Sequence, residues 1–216
     1  SRALENISLK KENLQLENKM FHSFDLIGES NQIIKIKKLI NKLSSTDSRV
    51  LVSGPTGSGK ELIARKIHKN SNRSNNPFIV LNGALLQPDN YELELFGSEN
   101  KDGTITYGFL EKAANGTLLI DEVSEIPLDT QAKILRVLID QKFKRINGNK
   151  DIHVNIRIIS STSKDLKNEV NIGNFREDLY HRLNVVPIEI PKLNSRPDDI
   201  PLLIKYFQKK IAEING

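Results

Sequence analysis

A glycine-rich loop constrains the fold of this chain more than any other feature. The loop reads Gly54-Pro55-Thr56-Gly57-Ser58-Gly59-Lys60, and it stands between an apolar run at residues 50–52 and a helical pattern that begins near Leu62. A strand, a glycine loop and a helix in this order are the context that a phosphate-binding loop requires. The glycines let consecutive backbone amides turn towards one concavity, and the positive end of the following helix attracts a phosphate. We therefore expect a phosphate site here, with Lys60 reaching the β- and γ-phosphates.

Two carboxylates end a second apolar run, about sixty residues after the loop. Asp121 and Glu122 follow the run at residues 117–120. A buried strand that ends in this way delivers both carboxylates to the edge of the sheet at which a ligand binds. There Asp121 would hold a magnesium ion, and Glu122 would orient or deprotonate the attacking water. Such a strand end is common by itself, but together with the loop it indicates a site for phosphoryl transfer.

The residue after Lys60 departs from the strict form of the phosphate-loop motif. That form has Ser or Thr at this position, because a hydroxyl there ligates magnesium, whereas this chain has Glu61. A carboxylate turned inward would repel the phosphates. We therefore expect Glu61 to point away and to leave metal coordination to Asp121, phosphate oxygens and water.

Composition excludes several other classes of protein. The chain has no cysteine, which excludes disulfides and thiolate metal sites and fits a reducing cytoplasm. Its four histidines show no paired ligand spacing, so zinc has no support. No apolar run approaches the ~20 residues of a bilayer span, so we expect a soluble, cytoplasmic protein with no membrane partner. The net charge of +5 permits an anionic partner, although part of that charge comes from lysines on one solvated helix face.

Strand-like and helix-like segments alternate along most of the chain, which predicts an α/β fold with a parallel sheet flanked by helices. Its 216 residues allow one main domain. We expect a helical linker at residues 1–22, an α/β core at 23–192 and the start of an incomplete helical lid at 193–216. The linker has a heptad-like seam, which could pair with a second copy or pack on its own domain. The predicted strands cover residues 50–52, 78–81, 118–121, 154–160 and 185–190. The predicted helices cover residues 59–70, 89–96, 127–140 and 175–183, with one before them after Ser30 and one after them opening at 196–201.

Five motifs in order resemble the central AAA+ domain of NtrC-family bacterial enhancer-binding proteins, over about residues 23–210. The resemblance implies a P-loop ATPase fold with ATP or ADP and Mg²⁺ as ligands, and Glu61 is then the usual residue of the family. The motifs are Leu26-Ile27-Gly28-Glu29-Ser30, the loop with Lys60-Glu61-Leu62, Asn115-Gly116-Thr117-Leu118-Leu119-Ile120-Asp121-Glu122, Phe175-Arg176-Glu177-Asp178-Leu179-Tyr180-His181-Arg182-Leu183 and Arg196-Pro197-Asp198-Asp199-Ile200-Pro201.

The resemblance also assigns roles near the nucleotide. It implies that the segment from Leu26 through Ile27 to Gly28 borders the adenine. Asn82 would be a switch that hydrogen-bonds Glu122 in the idle state, although an amide at a strand end can equally cap a turn. Thr162 would sense the γ-phosphate, and the next position, where relatives often have Asn, is Ser163 here.

Two arginines are matched to residues that act between subunits. By resemblance, Arg176 and Arg182 are arginine fingers that reach the γ-phosphate of a neighbouring copy, so hydrolysis would depend on a ring. The alternative is that they pair with Glu177 and Asp178 on the same surface.

One segment departs from the family pattern. Relatives that remodel sigma-54 RNA polymerase carry a GAFTGA loop, but between Gly97 and Gly108 this chain has only ten residues and lacks the Phe-Thr pair. This shortened loop, together with the segments at residues 138–143 and 158–162, most resembles the NtrX branch, which consists of two-component response regulators. We expect self-association, as a dimer through the linker seam and as a hexamer-like ring through the arginine fingers. RNA polymerase is a candidate partner, with a doubtful sigma-54 contact. The branch implies that DNA and a sensor kinase are bound through domains outside this chain.

Two functions remain open from the sequence. The first is an ATP-hydrolysing domain that assembles into a ring and controls transcription. The second is a module in which nucleotide sets the oligomeric state of a DNA-bound scaffold that does not remodel polymerase. A small-molecule P-loop kinase is disfavoured, because the chain shows no acceptor-binding lid.

Overall fold

A parallel sheet forms the centre of the fold. The computed structural model describes residues 25–215, so the predicted linker at residues 1–22 lies outside the described residues. Within them the predicted α/β fold is confirmed. The five strands of the sheet are β1 (Val50–Ser53), β2 (Phe78–Asn82), β3 (Thr117–Asp121), β4 (Arg157–Thr162) and β5 (Val186–Glu189).

The strand order is β2-β3-β4-β1-β5, and each neighbouring pair is parallel. The carboxyl ends of all these strands therefore meet at one edge, where ligands of open α/β sheets bind. The register brings Asn82 opposite Asp121 and Ser53 opposite Thr162. The predicted site residues at the strand ends thus lie side by side.

Burial on both faces explains why the central strands are so apolar. In β3 every residue from Thr117 to Ile120 is at most 1% exposed, as expected for a parallel strand covered on both sides. One face packs under α1 and α2, and the other packs under the remaining core helices. The helices are α1 (Asn31–Ser44), α2 (Lys60–Lys69), α3 (Tyr91–Phe96), α4 (Phe109–Lys112), α5 (Leu128–Asp140), α6 (Leu166–Asn171), α7 (Glu177–Leu183) and α8 (Asp199–Asn215).

The spacing of apolar residues determines which face of a helix packs against the sheet. In α1 the residues Ile33, Ile36, Ile40 and Leu43 are all buried, which follows the three-four periodicity of one helix face. The predicted helix at residues 89–96 begins with a 3₁₀ turn at Pro88–Asn90 before α3. A difference of one or two residues between the predicted and the observed start of a helix is usual.

The predicted strand at residues 154–160 is wrong at its start, because β4 runs from Arg157 to Thr162. Val154 instead leaves a hairpin formed by Lys142–Phe143 and Ile152–His153, where its amide donates to the Gln141 carbonyl at 3.0 Å. The apolar pattern of the sequence is continuous across this junction, so it does not mark the change of partner.

A short hairpin occupies the segment that departs from the family pattern. Ser98–Glu99 pairs antiparallel with Ile105–Thr106, and Ser98 also bridges to Ile146 beside the second hairpin. The Glu99 amide donates to the Ile146 carbonyl at 3.0 Å. The shortened loop is therefore a compact hairpin tied to its neighbour.

The last helix, α8, follows a 3₁₀ turn at Leu193–Ser195. It exposes Ile204, Phe207 and Ile211 along one side. Across residues 25–215, no helix has the length and apolar character needed to span a bilayer.

Candidate active site

The glycine loop connects β1 to α2 at the carboxyl edge of the sheet. The Gly54 amide donates to the Thr162 carbonyl at 3.2 Å, which ties the start of the loop to the end of β4. Gly57 and Gly59 have φ of 75° and 95°. This left-handed conformation strains any residue with a Cβ, which is why glycine suits both positions.

Lys60 lies over the loop as the first residue of α2. Its side chain is 7% exposed, and Nζ donates to the Gly54 carbonyl at 3.1 Å. Nζ also lies 3.0 Å from Glu122 Oε1. The cation predicted to reach phosphate and the predicted base therefore face the same concavity.

Glu122 follows β3 with a left-handed backbone, at φ 49° and ψ 57°. Its Oε1 pairs with Lys60, and its Oε2 accepts bonds of 2.8 Å from both the amide and the hydroxyl of Ser163. Burial is the largest influence and raises its pKa, but the bonds from Lys60 and Ser163 together outweigh it. The pKa of Glu122 is therefore lowered, and its carboxylate is ionised at neutral pH, as a general base requires.

Asp121 is held by donors from the strands on both sides. The fully buried Ser161 of β4 donates its hydroxyl to Oδ1, and Asn82 of β2 donates its amide to Oδ2 at 3.3 Å. Ser161 is not among the site residues that the sequence motifs predicted. The sequence feature that could have identified it is a hydroxyl residue one position before the end of a buried strand.

The predicted contact between Asn82 and Glu122 is absent from the described structure. Asn82 instead bonds Asp121, and its Oδ1 accepts from the Ala84 amide at 2.9 Å, so it caps a turn. The register explains the difference, because Asn82 lies directly opposite Asp121. The left-handed backbone at Glu122 leaves its carboxylate on the β4 side, bonded to Ser163.

Thr162 ends β4 and is 1% exposed. Its hydroxyl oxygen accepts from the Lys164 amide at 3.0 Å and lies 3.4 Å from the Ser124 hydroxyl. The predicted sensor is thus beside the phosphate loop, while the next residue, Ser163, contacts the base.

Glu61 pairs with Arg65 one turn further along α2, at 2.7 Å. This ion pair draws its carboxylate along the helix surface.

A cavity of about 690 Å³ adjoins the phosphate loop. Apolar side chains from the segment before α1, from α2 and from α8 form most of its wall, which suits the flat base of a nucleotide more than a charged group. The lining includes Leu26, Ile27, Pro55, Thr56, Gly57, Ser58, Gly59, Leu62, Arg196, Leu203, Tyr206 and Phe207.

A buried carboxylate joins two walls of this cavity. Asp199, which is 0% exposed, accepts from the Glu29 amide at 2.7 Å and from the Ser30 amide and hydroxyl at 2.9 and 2.7 Å. A Cβ on Gly28 would lie 2.8 Å from this carboxylate, so the backbone must approach closely. Burial acts to raise the pKa of Asp199, but the bonds from Ser30 and Glu29 lower it overall. The sequence motif predicted only a helix start here.

The two arginines lie apart from this site. Arg176 is exposed and pairs with Asp178 at 2.7 Å, as the alternative interpretation expects. Arg182 does not pair with an acid among the described residues. It donates to the Leu138 carbonyl at 3.3 Å and shares a cavity with Arg49, which precedes β1 at the opposite edge of the sheet. One chain therefore does not bring Arg182 to Lys60 and Glu122.

The donor set near Asp121 fits magnesium. Across residues 25–215, no cluster of three or more His, Cys, Asp or Glu side chains is available for a metal. Magnesium in nucleotide sites is held by one or two carboxylates with substrate phosphates and water, so a single oriented carboxylate is sufficient.

The sequence is similar to those of known regulatory proteins of one family. The family model described as the sigma-54 interaction domain matches residues 26–189. The nitrogen assimilation regulatory protein NtrX of Azorhizobium caulinodans is 44% identical over 216 residues, which cover 100% of this chain and 47% of that protein. The chain thus spans about half the length of this relative.

Solved structures give the same result. The crystal structure of Brucella abortus NtrX in complex with ADP matches with a TM-score of 0.86 and 45% identity, over 98% of this chain and 48% of that one. The same protein in complex with ATP matches with a TM-score of 0.85 and 43% identity, over 97% of this chain and 46% of that one. The AAA+ P-loop fold is therefore confirmed, and the chain belongs to the sigma-54 interaction domain family, close to NtrX.

Proposed function

We propose that this chain binds ATP and, when copies assemble, hydrolyses it to ADP and phosphate as the ATPase module of an NtrX-like response regulator that controls transcription. The observation that carries the proposal is the 3.0 Å pair between Lys60 Nζ and Glu122 Oε1 beside the glycine loop. A phosphate-binding cation and an ionised base at one concavity are the parts that phosphoryl transfer to water requires.

Nucleotide binding follows from the loop and the adjoining cavity. The loop amides and Lys60 would hold the phosphates, and the apolar wall that includes Ile27 and Leu62 would hold the adenine. The ADP and ATP complexes of Brucella abortus NtrX, at 45% and 43% identity, support this assignment.

Chemistry is assigned to the two carboxylates. Glu122, whose pKa is lowered, would orient the attacking water and accept its proton. Asp121, fixed by Ser161 and Asn82, would hold Mg²⁺. The ion would neutralise charge on the β- and γ-phosphate oxygens.

Assembly would complete the site. Arg182 lies at the edge of the sheet opposite the phosphate loop, so it would act on the nucleotide of a neighbouring copy. We assign the same role to Arg176, whose present partner Asp178 is an exposed surface residue. An exposed ion pair contributes only ~0–1 kcal/mol, so Arg176 can leave it at little cost.

A second function is favoured by the short hairpin. Its turn is closed at the base by the Asn100 amide, which donates to the Thr104 carbonyl at 2.9 Å, and it is tied to Ile146. A hairpin this short offers little reach towards a sigma factor. On this basis nucleotide would set oligomeric state only, in a DNA-bound scaffold.

Phosphate release measured against protein concentration separates the two functions. We expect the specific rate of the wild type to rise with concentration, whereas Lys60→Ala and Arg182→Ala stay near background at every concentration. Lys35→Ala, an exposed lysine of α1, is the matched control and should follow the wild type. If nucleotide binds but no concentration gives turnover, the scaffold function replaces the hydrolytic one.

A further inference from the structure

We infer that Arg49 binds a phosphate group, together with Arg182, in a cavity at the edge of the sheet opposite the phosphate loop. No sequence motif assigns a role to Arg49. The cavity has a volume of about 440 Å³, and its lining includes both of these arginines, Arg73 and Asp47. The part of the inference that concerns Arg182 rests on the proposed function, in which Arg182 acts between copies.

The charges of Arg49 and Arg182 are not balanced within the cavity. Among the described residues that line it, Asp47 is the sole carboxylate. Both of its oxygens are engaged by Arg73, whose Nε and Nη2 donate to them at 2.9 and 2.8 Å. Neither Arg49 nor Arg182 forms an ion pair with any residue from 25 to 215. Two guanidinium groups are therefore left without a counter-charge.

The hydrogen-bond donors of the two arginines are also largely unused. Arg182 Nη2 donates to the Leu138 carbonyl at 3.3 Å, but Nε is buried and has no hydrogen-bond partner in the described part of the chain. The half-buried side chain of Arg49 makes no hydrogen bond to a described residue. Burial and the nearby charge of Arg182 lower the pKa of Arg49. An anion bound between the two side chains would satisfy these donors and offset the repulsion.

The balance of charge favours a phosphate over a carboxylate. Arginine stays protonated in proteins, so the two side chains carry two positive charges. A phosphate group carries about −1.5 to −2 charges at neutral pH and has three acceptor oxygens. A carboxylate carries a single charge and has two oxygens. Each guanidinium can donate in parallel to two phosphate oxygens, so one phosphate satisfies both arginines.

The phosphate does not belong to the nucleotide of the same chain. The whole of β1 lies between Arg49 and Gly54 of the phosphate loop. At ~3.3 Å per residue this separation is about 16 Å, which is further than an arginine side chain extends. The Arg49 carbonyl accepts the Val186 amide of β5 at 3.2 Å, so the strands hold Arg49 at this edge. The phosphate is therefore the γ-phosphate of a neighbouring copy's ATP or comes free from solution.

ATP-dependent association tests the neighbouring nucleotide as the source. Glu122→Gln should keep ATP bound without turnover, so association in this background can be followed by analytical ultracentrifugation. Adding Arg49→Ala should weaken association in ATP about 10-fold, because charge-assisted hydrogen bonds are lost. Association in ADP, which lacks the γ-phosphate, should not change. Arg136→Ala, an exposed arginine of α5 outside the cavity, is the matched control and should change neither.

Titration with inorganic phosphate tests the other source. The wild type is kept dilute and unassembled with ADP and Mg²⁺, and the Nε–Hε NMR signals of its arginines are followed. Saturable shifts of the Arg49 and Arg182 signals, with the Arg136 signal unchanged, would assign the site to free phosphate.

Two results would overturn the inference. The first is equal weakening of association by Arg49→Ala in ATP and in ADP, which indicates a structural role or a carboxylate of the neighbouring copy. The second is the absence of both an ATP-specific loss of association and a phosphate-induced shift. Neither measurement requires turnover. If either is positive but the wild type never hydrolyses ATP, the phosphate site stands and the proposed hydrolysis alone fails.

Discussion

Asp199 offers the sharpest test of how the walls of the nucleotide cavity are held together. Its carboxylate is fully buried and accepts three hydrogen bonds from Glu29 and Ser30, and Arg196 Nη1 lies 3.6 Å from Oδ2. Asp199→Ala would leave these donors and the Arg196 charge buried without their acceptor. Water cannot easily replace it, because Arg196 is itself only 8% exposed.

The magnitude follows from these contacts. Removing one partner of a buried, hydrogen-bonded ion pair destabilises a protein by about 3–5 kcal/mol. For a domain of this size each kcal/mol lowers the Tm by about 2–4 °C. We therefore expect Asp199→Ala to lower the Tm by about 6–20 °C. It should also weaken nucleotide binding, because the segment around Gly28 loses its tie to α8.

Urea denaturation measures the loss of stability directly. The midpoint should fall with an unchanged m-value, which shows that stability and not the extent of unfolding has changed. Asp198→Ala, at the exposed neighbouring position, is the matched control and should stay within about 0.5 kcal/mol of the wild type. A loss below about 1 kcal/mol in Asp199→Ala would refute the reasoning.

The same pair of proteins predicts a pH dependence. The pKa of Asp199 is lowered in the folded state, whereas an unfolded Asp titrates near about 3.9. Its contribution to stability is therefore fully present above that value and is lost as the pH falls through the lower folded pKa. The stability gap between wild type and Asp199→Ala should be constant from pH 7 to 5 and shrink below about pH 4. A gap that widens on acidification would contradict the assigned direction.

Three further predictions concern single residues. Gly116→Ala would bring a Cβ to 2.0 Å from the Pro77 carbonyl oxygen, so it should destabilise by about 3 kcal/mol in denaturant. Gly173→Ala meets open space and should cost less, about 1–2 kcal/mol from its left-handed φ of 81° alone. Ser161→Ala should raise the Mg²⁺ concentration needed for half-maximal turnover several-fold, because it frees Asp121; an unchanged requirement would remove Ser161 from the site. Glu122→Gln and Arg182→Ala should each be inactive but regain turnover when mixed, since each supplies what the other lacks; no recovery would argue against action between subunits.

The sequence predicted the parts of the site that depend on local pattern. The glycine loop after β1 and the carboxylates after β3 are identified by residue type and spacing, and parallel pairing then brings their strand ends to one edge. Burial on both faces makes these strands almost uniformly apolar, so their positions could also be predicted from the sequence. The side-chain contacts between neighbouring strands could not be predicted from the sequence. Glu122 bonds Ser163 and not Asn82 because its backbone is left-handed. No residue pattern predicts that conformation at a glutamate.

Asp199 was missed for a different reason. An acidic residue at the start of a helix is expected for the helix itself, because it interacts favourably with the positive end of the helix dipole. Its bonds to Glu29 and Ser30 span about 170 residues of sequence, and they form only when the segment before α1 packs against the start of α8. The start of β4 was misplaced because Val154 and the strand share one apolar pattern while they pair with different neighbours.

The order of the sheet also has a consequence for how the molecule folds. The strand that carries the phosphate loop, β1, emerges from the ribosome before both of its neighbours, β4 and β5, whose first pairings join Val50 to Ile159 and to Val186. Closing loops of this length delays pairing and leaves both edges of β1 open until late. Ribosome-bound chains that end before β5 should therefore expose an unpaired apolar strand and depend on chaperones, and nucleotide should begin to protect them only after that strand has emerged.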